Sequence, residues 1–194
     1  MLVAAEAAPT AADTYELEPS GSSLKFTATQ QGAKFESSFE SFTAVVHFDP
    51  AQPETGRIEA RIDLSSVDTG NPERDEVLQS ADWFNLSRWP EASFSAARIV
   101  RAGDGYAASG ALSLRGVTRP VTLQFRWTPQ AGDQPARLVG SATLERLAFG
   151  IGQGDWQDTA YVGNGVAVQV DIRLRPTQVS DKSVTITGKP QDAR

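Results

Sequence analysis

Apolar and polar residues alternate over most of the chain with a period of two, the mark of strands with one buried face. Tyr15 and Leu17 open the pattern, and Leu24, Phe26 and Ala28 continue it until Gly32 interrupts. Phe35, Phe39 and Phe42 punctuate a Ser/Glu-rich stretch that leads into Ala44-Val45-Val46-His47-Phe48, and Asp49-Pro50 closes that run, because proline cannot donate to a central ladder. Ile58, Ala60, Ile62 and Leu64 then alternate with Glu59, Arg61 and Asp63. Further strands are predicted from Phe94 to Val100, from Tyr106 to Leu114 and along Val121, Leu123, Phe125 and Trp127, with turns at Gly103-Asp104-Gly105, Arg115-Gly116 and Gly132-Asp133. Leu138, Gly140, Ala142 and Leu144 give another. The run Val166, Val168, Val170, Ile172 and Leu174 opposes the polar residues Gln169, Asp171, Arg173 and Arg175, so that second face meets water. Ser183–Thr187 carries one weak strand signal in the tail. The count is eight or nine substantial strands.

One stretch departs from this rhythm. Asn71 is placed to cap a helix whose first position is Pro72, where a missing N–H costs nothing. Val77, Leu78, Ala81 and Phe84 form an apolar stripe, and Glu73, Asp75, Glu76 and Gln79 take the other side. The spacing predicts a helix over about 72–82. Pro90 forbids its extension, and Ala92-Ser93-Phe94-Ser95 starts the next strand. A single amphipathic helix among strands is expected to act as a lid or plug over the sheet.

Short connections and the lack of a βαβ rhythm imply an all-β, antiparallel fold. On pattern alone a sandwich and a closed barrel both satisfy the alternation. The division expected is a leader at 1–13, one domain at 14–175 and an extension at 176–194. A chain of 194 residues, 40% hydrophobic and 22% charged, buries enough surface to fold without staples. The net charge of −6 disfavours nucleic acid and anionic lipid surfaces as partners. There is no cysteine, which excludes disulfides and thiolate chemistry. No apolar run reaches the roughly 18 residues of a membrane span.

Several short motifs then occur in a characteristic order. Phe48-Asp49-Pro50 precedes Ile62-Asp63-Leu64-Ser65-Ser66-Val67-Asp68-Thr69 and Arg74-Asp75-Glu76-Val77-Leu78. Asp82-Trp83-Phe84 and Trp89-Pro90 follow, then Gly110 to Val121 (GALSLRGVTRPV) and Arg146-Leu147-Ala148-Phe149-Gly150-Ile151. From about Tyr15 to Leu174 the chain resembles the YceI-like family of bacterial lipocalin-like proteins. That resemblance implies an eight-stranded antiparallel barrel with one helix against it, commonly exported to the periplasm, enclosing a polyisoprenoid, an isoprenoid quinone or a related lipid. It also implies transport, sequestration or a stress-related role without catalysis. Two features depart from the family pattern: apolar Leu147-Ala148 where a polar residue is frequent, and a longer tail after Pro176.

A barrel of eight strands is just wide enough for side chains or one slender ligand. An apolar tunnel gains roughly 25 cal/mol for each Å² removed from water. The residues expected to line it are Leu24, Phe26, Phe39 and Phe42 early in the chain and Ile58 and Ile62 beyond Pro50. Leu78, Trp83, Phe84 and Phe94 come from the helix and its surroundings. Leu112, Leu114, Leu123, Phe125, Leu144, Phe149, Val168 and Val170 complete the set. No catalytic residue, metal ligand or cofactor is expected. His47, the single histidine, reads as a rim residue. Asp63, Asp68, Asp75 and Asp82 read as caps or as partners of Arg61, Arg74 and Arg88, and Arg74-Asp75 as a tie between helix and strand ends. Arg115, Arg119 or Arg146 are the candidates to meet a phosphate or quinone head, and Phe149 to Gly154 is expected to form a mobile loop.

Two other readings compete with a lipid carrier: a solid-cored interaction or stress module without stoichiometric lipid, and an enzyme acting on an isoprenoid lipid. Val139 and Leu147 leave monomer and homodimer equally open. The alanine-rich N-terminus lacks a basic n-region and a long apolar segment. It reads either as the start of a mature periplasmic or secreted protein whose signal peptide is gone, or as a leader on a cytoplasmic one.

Overall fold

The computed structural model describes residues 13–177; residues 1–12 of the expected 1–13 leader, residues 178–194 of the expected 176–194 extension and, within it, the Ser183–Thr187 strand expectation lie outside them. Ten strands pair antiparallel: β1 (Thr14–Gln30), β2 (Ala33–Phe39), β3 (Phe42–His47), β4 (Arg57–Asp63), β5 (Val67–Asp68), β6 (Glu91–Ala102), β7 (Gly105–Leu114), β8 (Val117–Thr128), β9 (Ala136–Glu145) and β10 (Gly165–Pro176). They make eight staves. β1 is long enough to pair with β3 at Thr14–Glu16 and with β2 from Leu24 onward, so β2 and β3 are one interrupted stave. β4 and β5 form another, broken by a turn at Leu64–Ser66 that Asp63 caps by accepting the Ser65 N–H at 2.9 Å. β10 returns to pair with β1, and the antiparallel barrel closes. Closure leaves no edge for edge-to-edge association.

Local chemistry sets the joints. Arg115 and Gly116 both have positive φ, 52° and 73°, the two-residue hairpin geometry that matches the twist of the flanking strands. The one α-helix, α1 (Pro72–Gln79), begins as expected: Asn71 Oδ1 accepts the Arg74 N–H at 3.1 Å. It ends three residues before the expected boundary. The Ser80 backbone and hydroxyl both donate to Val77 O, at 3.1 and 2.6 Å, and the Phe84 N–H reaches back to Leu78 O at 2.9 Å. The chain therefore turns inward. Trp83 and Phe84 are buried by that turn, and Ala81, expected on the apolar stripe, is exposed.

The interior divides into two halves along the barrel axis. At one end lie the β3–β4, β6–β7 and β8–β9 connections, and there the core is solid. Phe48, 1% exposed, is the plug. It meets Tyr106, Trp127 and Phe125 edge-on at centroid distances of 4.8, 5.1 and 5.6 Å, and Tyr15 packs on Trp127 at 5.1 Å. The opposite end carries the two long connections, 69–90 with α1 and 146–164, together with the β1–β2 and β7–β8 hairpins.

Candidate functional site

Strand β10 crosses from one half to the other. Its inward side chains Ile172 and Leu174 are buried at the solid end, whereas Val166, Val168 and Val170, on the same face, are only half-buried. Apolar residues that face a barrel's inside without being covered border a void. That void is a cavity of about 430 Å³, within the range of small-molecule sites. Ala44, Ile58, Leu123, Leu138 and Ile172 form its floor on top of the solid core.

The strands bring almost all of the expected lining together. Leu24 and Phe26 come from β1, Phe39 from β2, Phe42 from β3 and Ile58 and Ile62 from β4. Leu78 enters from α1, Trp83 and Phe84 from the turn after it, and Phe94 from β6. Leu112 and Leu114 come from β7, Leu123 from β8, Leu144 from β9, Phe149 from the connection after β9, and Val168 and Val170 from β10. Phe125 is the exception: it lies in the aromatic plug, two residues closer to the solid end than Leu123 on the same face of β8. Periodicity assigns a face but not a height along the barrel, so the alternation of β8 does not separate Phe125 from the lining. Val121, Ala142 and Val166 also line the cavity, and their alternation offered the signal that would have found them. Ile151, Trp156 and Val162 line it too, from a segment with no periodicity to read.

Two connections cover the mouth and are tied to each other. Asp82 O accepts the N–H groups of Gly152 and Gln153 at 2.8 and 2.9 Å, and Arg115 Nη2 donates to Ala81 O at 2.7 Å. Trp83 and Trp156 meet edge-on at 5.5 Å. The 146–164 connection is organised by Arg146, which is 3% exposed. Its guanidinium donates to the carbonyls of Gly163 (3.0 Å), Ile151 (2.9 Å), Trp156 and Val162 (both 2.7 Å). Burial pulls its pKa down from the ordinary arginine value. Gly152, at φ +81°, is obligatory beside it, because a Cβ there would collide with the guanidinium. The Phe149–Gly154 segment is therefore a pinned cap, in contrast to the mobile loop expected.

The other charged candidates are placed as follows. Arg119 donates to Ala148 O at 3.3 Å, and neither Arg115 nor Arg119 borders the cavity. Arg74 does border it, with its Cζ 4.4 Å from the Phe35 ring centre. Asp63, Asp68 and Asp75 accept backbone N–H groups of Ser65, Gly70 and Thr69 at 2.9, 2.8 and 2.9 Å. Arg61 pairs with Glu91 at 2.9 Å instead of with an aspartate. Short carboxylates next to a turn reach the local backbone before they reach a distant side chain. His47 sits half-buried at the solid end, its Nδ1 2.8 Å from Thr14 Oγ1, and does not border the cavity.

The YceI-like domain profile matches residues 15–174. A UPF0312 protein of Pseudomonas aeruginosa is 38% identical over 118 residues, covering 58% of this chain and 61% of that protein. One from Yersinia pseudotuberculosis is 38% identical over 96 residues, 50% of each chain. The matched stretch thus spans only about half to three-fifths of these relatives' own length. Among solved structures, BcnA of Burkholderia cenocepacia superposes with a TM-score of 0.77 at 28% identity, over 82% of this chain and 99% of that one. A Saccharophagus degradans polyisoprenoid binding domain gives 0.65 at 15% identity, covering 84% and 98%. The Campylobacter jejuni YceI protein gives 0.65 at 20%, covering 75% and 86%. With its barrel closed, its single helix at the mouth and the profile matched along nearly every described residue, the chain belongs to the YceI-like family.

Proposed function

We propose that this protein binds a long apolar or amphiphilic chain, a polyisoprenoid, an isoprenoid quinone or a related lipid, and carries or sequesters it without chemical change. The observation that supports this reading is the hollow half of the barrel: same-face residues of β10 pass from covered at Leu174 to uncovered at Val166. A void lined by Phe, Leu, Ile and Val holds a methyl-branched chain through area alone, at roughly 25 cal/mol per Å². Discrimination between chains differing by one methylene is then only about 1–3 kcal/mol, so such a site selects for length and width more than for identity. The polyisoprenoid-binding neighbour lends the same class of ligand. Export to the periplasm, which the family resemblance suggests, belongs to the same proposal and is tested by cell fractionation of the full-length gene product.

The test of binding is direct. Protein purified from a bacterial host is extracted with organic solvent, and the extract is analysed by mass spectrometry. A stoichiometric prenyl lipid or quinone is the expected result. An empty extract, together with no uptake of prenyl lipids by the purified protein, would overturn it.

A further inference from the structure

Apart from Arg146, whose donors are taken up by main-chain carbonyls, the polar residues that line the wall lie at one edge of the cavity. Lys25, Gln30, Asn71, Glu73 and Arg74 border it on the side where α1 faces the β1–β2 hairpin. Two of these five side chains already have partners. Lys25 is paired with Glu36 at 2.7 Å, and Asn71 is engaged as the helix cap at 3.1 Å. The Arg74 guanidinium is different. It lies against the Phe35 ring, and among the described residues it forms no ion pair and donates no hydrogen bond. Arg115, Arg119 and Arg146 all donate to main-chain carbonyls, and Arg88, stacked on Trp89 in the 69–90 connection, does not border the cavity.

A guanidinium stacked on an aromatic ring keeps the outer edge of its donor fork free, and that edge matches two oxygens of a carboxylate or phosphate. The nearest acidic groups do not fill this role. Asp75 accepts from Thr69 N–H at 2.9 Å, Glu36 is paired with Lys25, and Glu73 is exposed to water, where a like charge acts weakly on an incoming anion.

We propose that Arg74 is a head-group subsite. The occupant is a single-chain amphiphile whose terminal carboxylate or phosphate monoester meets the Arg74 fork while its tail fills the barrel. The inference rests on the lipid-binding reading above and assigns the polar end of that same ligand.

The experiment uses delipidated full-length protein and follows the fluorescence of Trp83 and Trp156, which border the cavity. Hexadecanoate, farnesyl phosphate and hexadecan-1-ol are titrated below their aggregation thresholds. At least one anion is expected to bind about tenfold more tightly than the alcohol, or about 1.4 kcal/mol. Whichever anion leads identifies the head-group chemistry, and either supports the subsite. Arg74→Gln should abolish the preference by bringing the anions down to the level of the alcohol, and Arg74→Lys should restore part of it. Equal binding of alcohol and anions, or an unaltered preference in a folded Arg74→Gln protein, overturns the subsite and leaves the cavity reading in place. Failure of all three to bind folded wild-type protein overturns both.

Discussion

The boundary between the hollow and the solid half can be measured along β10 alone. Leu174 is 0% exposed inside the solid cluster, whereas Val168 stands on the same face with its side chain against the cavity. Leu174→Ala removes three carbons from close-packed surroundings, a change that costs about 3–5 kcal/mol when the site cannot collapse. For a domain of this size that corresponds to a fall in Tm of at least about 6–12 °C, at about 2–4 °C per kcal/mol. Val168→Ala removes two carbons, worth about 1.6 kcal/mol if fully buried. With half of the side chain facing a void, the loss should be about 0.8 kcal/mol or less. Ile172→Val, on the floor between them, should cost about 1 kcal/mol. Urea denaturation of delipidated variants followed by far-UV CD reads all three. The expected result is a cost per deleted carbon that is at least twice as large at Leu174 as at Val168. An equal cost per carbon would mean that the barrel is packed along its whole length and encloses no cavity.

Other outcomes follow from the same geometry. Ala142 lines the cavity whereas Ala108, 0% exposed, lies in the solid core; Ala142→Phe should leave stability nearly unchanged and abolish ligand uptake, and Ala108→Phe should destabilise by about 1–3 kcal/mol or more through overpacking. Arg146→Met strands the carbonyls of Ile151, Trp156, Val162 and Gly163 and should cost about 3–5 kcal/mol, with fast hydrogen exchange appearing first in residues 146–164. On the outer wall, Arg137 donates to Asp171 at 2.7 Å and holds its carboxyl below the ordinary carboxylate value. That contribution is present above the unfolded-state pKa and is lost as pH falls through the lower folded-state pKa. Asp171→Asn should therefore lower stability by less than about 1 kcal/mol near neutral pH, and denaturation at stepwise lower pH should show the gap to wild type closing on the acid side.

Strand identity, the inward face of each strand and the capped start of α1 are legible in the residue order, because side-chain period, proline placement and an Asn cap act over only a few residues. The motif order from Phe48 to Ile151 also carried the family, hence the closed barrel that alternation alone left level with a sandwich. Three matters needed the assembled chain. Phe125 and Leu123 share a face and a strand, and only the stagger of β8 in the barrel places one in the aromatic plug and the other on the cavity floor. The end of α1 at Gln79 depends on Trp83 and Phe84 finding cover by turning inward, a tertiary gain that outweighs continued helix. Arg146 reads in sequence as one more basic residue able to meet a head group. Its donors are instead taken up by carbonyls that arrive from 5 to 17 residues further along, and burial of those carbonyls makes their pairing obligatory. Local spacing dictates which way a side chain points; what it meets there is decided by how the eight staves are staggered and which connections fold back over the mouth.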